Sequence, residues 1–109
     1  MANTFKNNYK DLTTSNQDLV PAIASGTTAI VLTIRCTNVD GTNDADVDVE
    51  VVDGSSGASY IAKGITVPAK SSLELAGTSK IVLEATDKIR GLASATGDIE
   101  VFVSYLEIT

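Results

Sequence analysis

The chain has 109 residues, 43% apolar and 20% charged, with a formal net charge of −6. That length suits one domain with its own core, and the composition excludes a disordered chain. The acidity disfavours bare nucleic acid and anionic membranes, which select clustered Lys and Arg; the eight basic residues here form no patch in sequence.

The first residues are polar and weakly patterned. Residues 1–16 read as an N-terminal arm with a first extended piece near Tyr9–Leu12. A second piece at Asp18–Ile23 carries Pro21, which suits an edge or irregular strand. Thr27–Thr37 alternates Thr28, Ile30, Leu32, Ile34 and Cys36 against Ala29, Val31, Thr33, Arg35 and Thr37. A turn with Asp40-Gly41 follows. Ala45–Val52 is the clearest strand: Asp44, Asp46, Asp48 and Glu50 share a wet face, and Ala45, Val47, Val49 and Val51 share a buried one.

Ser59–Val67 is extended, and Gly64 marks a bulge or bend. Pro68-Ala69-Lys70 turns the chain into Ser72–Leu75. Lys80–Ala85, Lys88–Ala93 and Ile99–Ile108 complete it. Short strands with regular turn signals predict an all-β fold. The expected architecture is a single antiparallel β-sandwich over residues 1–109, about eight strands, wired as a jelly roll or like an immunoglobulin domain.

The last strand carries large apolar groups on both faces. Val101, Val103 and Tyr105 alternate with Phe102, Leu106 and Ile108. A surface strand keeps one face polar. The outer set is therefore expected to be covered by another subunit, or else by the arm through the rings of Phe5 and Tyr9. Phe5, Tyr9, Phe102, Leu106 and Ile108 are the candidate interface residues.

Chemistry has little to work with. The sequence has no His, which removes Ser-His-Asp and Cys-His catalysis. Cys36 is the single cysteine, inside an apolar strand, and reads as a buried hydrophobe. Asp40, Asp44 and Asp46 are weak candidates for a calcium-type site. Carboxylates two apart on a strand stand about 7 Å apart, too far to share one ion. The expectation is therefore no enzyme, no cofactor and no metal. A host-receptor or glycan-binding alternative rests on an exposed Tyr60 with Asn or Asp nearby.

Met1-Ala2-Asn3-Thr4-Phe5-Lys6-Asn7, Ile65–Leu75, Lys80–Ile89 and Val103–Thr109 together resemble small all-β virion structural proteins of tailed bacteriophages. In the family form, the turn after Pro-Ala carries Gly, and a later turn reads Gly-Asp; Lys70 and Thr86 occupy those places here. The resemblance implies a virion protein made in the host cytoplasm without a signal peptide. It implies a capsid decoration or cement role, with the major capsid protein or other virion proteins as partners and a homo-oligomeric state. Neck, tail or fibre-base placement is the alternative. It implies no catalytic residues.

Overall fold

The computed structural model describes residues 2–55, 57–76 and 80–109. Among the described residues there are nine strands: β1 (Asn3–Asp11), β2 (Gln17–Val20), β3 (Thr28–Asn38), β4 (Ala45–Val52), β5 (Ala58–Val67), β6 (Ser72–Glu74), β7 (Ile81–Leu83), β8 (Lys88–Ala93) and β9 (Ile99–Ile108). They form two antiparallel sheets. Sheet A runs β1-β9-β3-β6, with β7 also on β3; sheet B runs β2-β8-β4-β5.

β6 and β7 lie end to end on one edge of β3, at Arg35–Thr37 and Ala29–Val31 respectively. Counted as one interrupted strand, they reduce the set to eight, and the orders become 1-8-3-6 and 2-7-4-5. That is jelly-roll wiring, two interleaved Greek keys, rather than the immunoglobulin arrangement. The interruption leaves the Ile34 N–H without a strand partner on that edge. The Glu74 carboxylate accepts it at 3.0 Å, together with the Ala76 N–H at 3.0 Å.

The core lies between the sheets. Val31, Ile34, Cys36, Val101 and Val103 enter from sheet A; Leu19, Val47, Val49, Val67 and Ile89 enter from sheet B. Each fully buried Val, Leu or Ile contributes roughly 1.5–3 kcal/mol of transfer free energy. Asn38 is also buried, and its side chain is fully used. Nδ2 donates to the Asn43 and Val67 carbonyls at 3.0 and 2.9 Å, and Oδ1 accepts from the Asp40 N–H at 2.9 Å. It fixes the β3–β4 loop against the end of β5.

Two expectations need correction. The N-terminal arm is a strand: β1 pairs with β9 along its whole length, from Asn3 opposite Ile108 to Asp11 opposite Glu100. Its polar sequence hid this, because an edge strand whose residues are nearly all exposed has no apolar period to show. It lies beside β9 in the sheet and does not fold over it.

The second correction concerns β3. The apolar set Ile30, Leu32, Ile34 and Cys36 does not share a face. Register slips at Leu32: Val31 opposes Tyr105, and Thr33 opposes Ser104. This bulge resets the alternation, so Val31 and Ile34 are both buried and Ile30 stands on the outer face.

Gly64 does mark a bulge. Lys63 and Gly64 together face Asp48 across β4, and Gly64 takes φ +62°. Asp48 clamps the site, accepting the Gly64 N–H at 2.7 Å and the Lys63 ammonium at 3.2 Å.

Two other residues with positive φ are not glycine: Lys70 at 64° and Thr86 at 77°. These are the two turn positions where glycine was expected. For a β-branched residue such a φ is an outlier. Thr86 is held by docking: its N–H donates to the Ile23 carbonyl at 2.8 Å, and its side chain covers Gly54, where an added Cβ would collide with Thr86 Oγ1. Lys70→Gly and Thr86→Gly are therefore expected to stabilise the fold by about 0.5–1 kcal/mol each. Gly54→Ala is expected to destabilise it through the clash. Chemical denaturation of the three variants checks both signs; a loss of stability in Lys70→Gly would show that this turn carries no backbone strain.

Candidate functional site

The outer face of sheet A is built in rows, because residues opposite one another in register stand side by side across the strands. Phe5, Leu106, Ile30 and Val82 form one row across β1, β9, β3 and β7. Asn7, Ser104 and Thr33 form the next. Tyr9, Phe102, Arg35 and Glu74 follow, and then Asp11, Glu100, Thr37 and Ser72. Ile108, opposite Asn3 and Thr28, closes the other end.

All five candidate interface residues thus stand on one face of one sheet. Phe5 and Tyr9 are 74% and 76% exposed, Val82 is 58% exposed and Phe102 is 42% exposed; Leu106 and Ile108 are partly covered. β9 itself keeps a regular alternation, with Val101, Val103 and Tyr105 in the core. Its two apolar faces belong to the core and to this surface. Ile30, Val82 and Arg35 also belong to the surface and were not singled out from sequence. Their placement depends on the Leu32 bulge and on strand pairing, which local patterning does not carry. The one local signal was Arg35, a lone charge in an apolar strand.

The outer face of sheet B is different. Its charges are paired with each other. Asp18 meets Lys88 at 3.2 Å, Asp48 meets Lys63 at 3.2 Å, and Glu50 meets Arg90 at 2.5 Å. Lys63 also sits 4.7 Å from the centre of the Tyr60 ring, so that ring is partly capped. The Asp48 hydrogen bond, more than any other contact, holds the Lys63 ammonium above its ordinary pKa. Glu50 was expected on the wet face. It does lie on the outer side, but Arg90 and Tyr60 flank it in register and bury it to 6% exposure.

The weak metal candidates are occupied by the protein itself. Asp40 accepts the backbone N–H groups of Thr42 and Asn43 at 2.8 and 3.2 Å, and the Thr42 bond most strongly holds its carboxyl below the ordinary range. Asp44 accepts the Ala69 N–H at 3.1 Å, and Asp46 accepts the Thr66 hydroxyl at 2.7 Å. Asp40, Asp44 and Asp46 therefore act as turn and strand clamps. Among the described residues, no three acidic, Cys or His side chains converge as a metal site.

No protein-family model matches the sequence, and no curated protein matches it. Solved structures do share the fold. A chain from Bacillus endospore appendages, described as a novel family of disulfide-linked pili, is similar over 99% of this chain and 87% of its own length, with a TM-score of 0.57 and 14% identity. A chain from the infectious bursal disease virus Gx strain is similar over 96% of this chain, with a TM-score of 0.50 and 10% identity. This chain spans 31% of that viral chain. At such identities the likeness is one of fold.

Two outcomes are expected from these sites. Arg90→Leu leaves Glu50 buried without a counter-charge and is expected to cost about 2–3 kcal/mol, while the double change Glu50→Leu with Arg90→Leu recovers most of it. Thermal unfolding of the single and double variants checks this; equal losses would mean the pair is not coupled. Burial pushes the Cys36 thiol up to about 12, so it stays protonated at neutral pH. An aromatic disulfide reagent should therefore label no thiol in the native protein and one after denaturation. Fast native labelling would contradict the burial.

Proposed function

We propose that this protein is a non-enzymatic structural subunit that works by adhesion. Its setting is a virion surface, where it acts as a capsid decoration or cement protein against the major capsid protein or further copies of itself. The observation that carries this reading is the aliphatic end of sheet A's outer face. Phe5, Leu106, Ile30 and Val82 run unbroken across β1, β9, β3 and β7, next to Ile108. A contiguous apolar row of this kind suits an interaction surface, since removing apolar area from water against a partner is favourable.

The two fold neighbours support the reading in a general way. One comes from disulfide-linked pili and the other from a virus. The absence of His from the sequence and the self-paired carboxylates of sheet B leave few groups for acid–base work. A second reading is a subunit of a surface appendage. It is favoured by the near-complete overlap with the endospore appendage chain in both directions. Neck, tail or fibre-base placement within a virion uses the same surface, and copy number per particle separates it from a shell role.

Phe5 and Val82 are the most exposed members of the row, so replacing both with Ser costs the folded state little. The native chain is expected to be an oligomer by light scattering at micromolar concentration, and Phe5→Ser with Val82→Ser a monomer of 11.3 kDa. A native monomer, or an oligomer untouched by both changes, would remove this row from assembly. Filaments seen by electron microscopy of the purified chain would favour the appendage reading.

A further inference from the structure

We propose that the opposite end of the same sheet face is a carbohydrate-binding groove. Tyr9, Phe102 and Arg35 stand in register across β1, β9 and β3, and Asp11, Glu100 and Thr37 form the next row. Together with Lys10 and Val101 they line an open groove of about 460 Å³, in which the cations Lys10 and Arg35 balance the carboxylates Asp11 and Glu100 and leave no net charge. That volume lies within the range of small-molecule sites, about 300–1,000 Å³.

The groove holds polar groups that the fold does not use. The Arg35 guanidinium makes no hydrogen bond among the described residues. Its Nε lies 3.8 Å from Glu74 Oε1, while the other oxygen of Glu74 is taken by the Ile34 and Ala76 N–H groups. Asp11 and Glu100 oppose each other directly in register. Among the described residues, neither has a cation within 4.0 Å. Like charges placed directly opposite one another on a sheet destabilise it. Every carboxylate on the outer face of sheet B within strands β2 and β4 has a partner. An unresolved local conflict of this kind is where a binding site is expected.

The chemistry selects the ligand class. Phe102 offers a flat apolar surface with no polar group, and Tyr9 offers a ring with a hydroxyl at its tip. Asp11 and Glu100 can only accept hydrogen bonds when ionised, and Arg35 can only donate. A pyranose fits this set: one apolar C–H face for the rings, and a rim of hydroxyls that both donate and accept. Phosphorylated ligands meet two carboxylates. A basic segment meets Arg35 beside those same carboxylates. A neutral sugar meets neither penalty.

The groove is separate from the assembly row. Asn7, Ser104 and Thr33 form a polar row between them. Phe102 and Leu106 are four residues apart on β9, about 14 Å along a strand. The inference therefore goes beyond the adhesive role and does not depend on it.

The test is an array of neutral mono- and oligosaccharides probed with the full chain, followed by titration of the best-bound sugar. The open groove sets an expected dissociation constant on the order of 0.1–1 mM. Tyr9→Ala and Arg35→Ala should each weaken binding at least tenfold. Glu100→Gln, which keeps size and removes the acceptor charge, should weaken it as well. Tyr60→Ala, on the other sheet, should bind as the native chain does. No sugar held by the native chain at millimolar concentration would overturn the proposal. So would binding that survives Tyr9→Ala and Arg35→Ala together. If Tyr9→Ala changes the oligomer without any sugar being bound, the groove is a subunit contact and the proposal fails while the adhesive reading stands. Sugar binding by a native monomer would do the reverse.

Discussion

β9 is hydrogen-bonded along its length on both edges, to β1 from Asn3 to Asp11 and to β3 from Thr28 to Asn38. The first and last strands of the chain therefore meet along one edge of sheet A, with β1 outermost. Ala2 and Thr109 close that pairing: the Thr109 N–H donates to the Ala2 carbonyl at 3.0 Å, and the Ala2 N–H reaches Thr109 Oγ1 at 3.2 Å. β1 buries almost no side chain of its own, so the ladder to β9 is what holds it. Without that ladder Phe5 and Tyr9 would have no fixed place, and neither the aliphatic row nor the aromatic groove would exist. Both readings of function depend on this one strand pairing, which joins the extremes of the sequence.

The two outer faces resolve their side chains in opposite ways. On sheet B, Asp18, Asp48 and Glu50 each meet a cation, and Asp46 meets a hydroxyl. The exposed Asp18–Lys88 and Asp48–Lys63 pairs contribute little to stability, while the Glu50–Arg90 pair keeps a buried carboxylate neutralised. On sheet A, four large apolar groups remain well exposed, and Arg35, Asp11 and Glu100 remain without close partners among the described residues. The same fold thus carries one finished face and one unfinished face. That asymmetry, more than any single residue, is what the proposed adhesive and binding roles of sheet A rest on.

Much of the fold was legible where one face is wet and the other dry. Ala45–Val52, Lys88–Ala93 and Ile99–Ile108 match their strands residue for residue. There the period-two pattern is set by burial alone. It failed in two places for two reasons. β1 is exposed on both faces, so its pairing leaves no trace in hydropathy. β3 carries a bulge at Leu32, and one extra residue moves every later side chain to the other face. That the outer face of β9 is apolar was legible, because Phe102, Leu106 and Ile108 are too apolar for a surface strand. That Ile30, Val82 and Arg35 share this face was not, since register between distant strands is a tertiary fact. Lys70 and Thr86 show the converse: the turns formed where glycine was expected, and the surrounding contacts hold a Lys and a Thr in its conformation.

Edges matter for how such a subunit meets its neighbours. A jelly roll leaves four sheet edges, each a possible template for strand addition. Here each is blunted. β6 and β7 are three residues long apiece and interrupted. β2 is four residues long, slips register between Asp18 and Val20, and is followed by Pro21. β5 is long but kinked by register shifts on either side of Val49, with Lys63 at the first. β1 carries Lys6 and Lys10, and Lys6 is anchored to Glu107 at 2.9 Å. Bulges, short strands and edge lysines are the devices that oppose strand-to-strand association. With the edges guarded, the adhesive contact proposed above rests on side chains of sheet A's outer face rather than on added backbone strands.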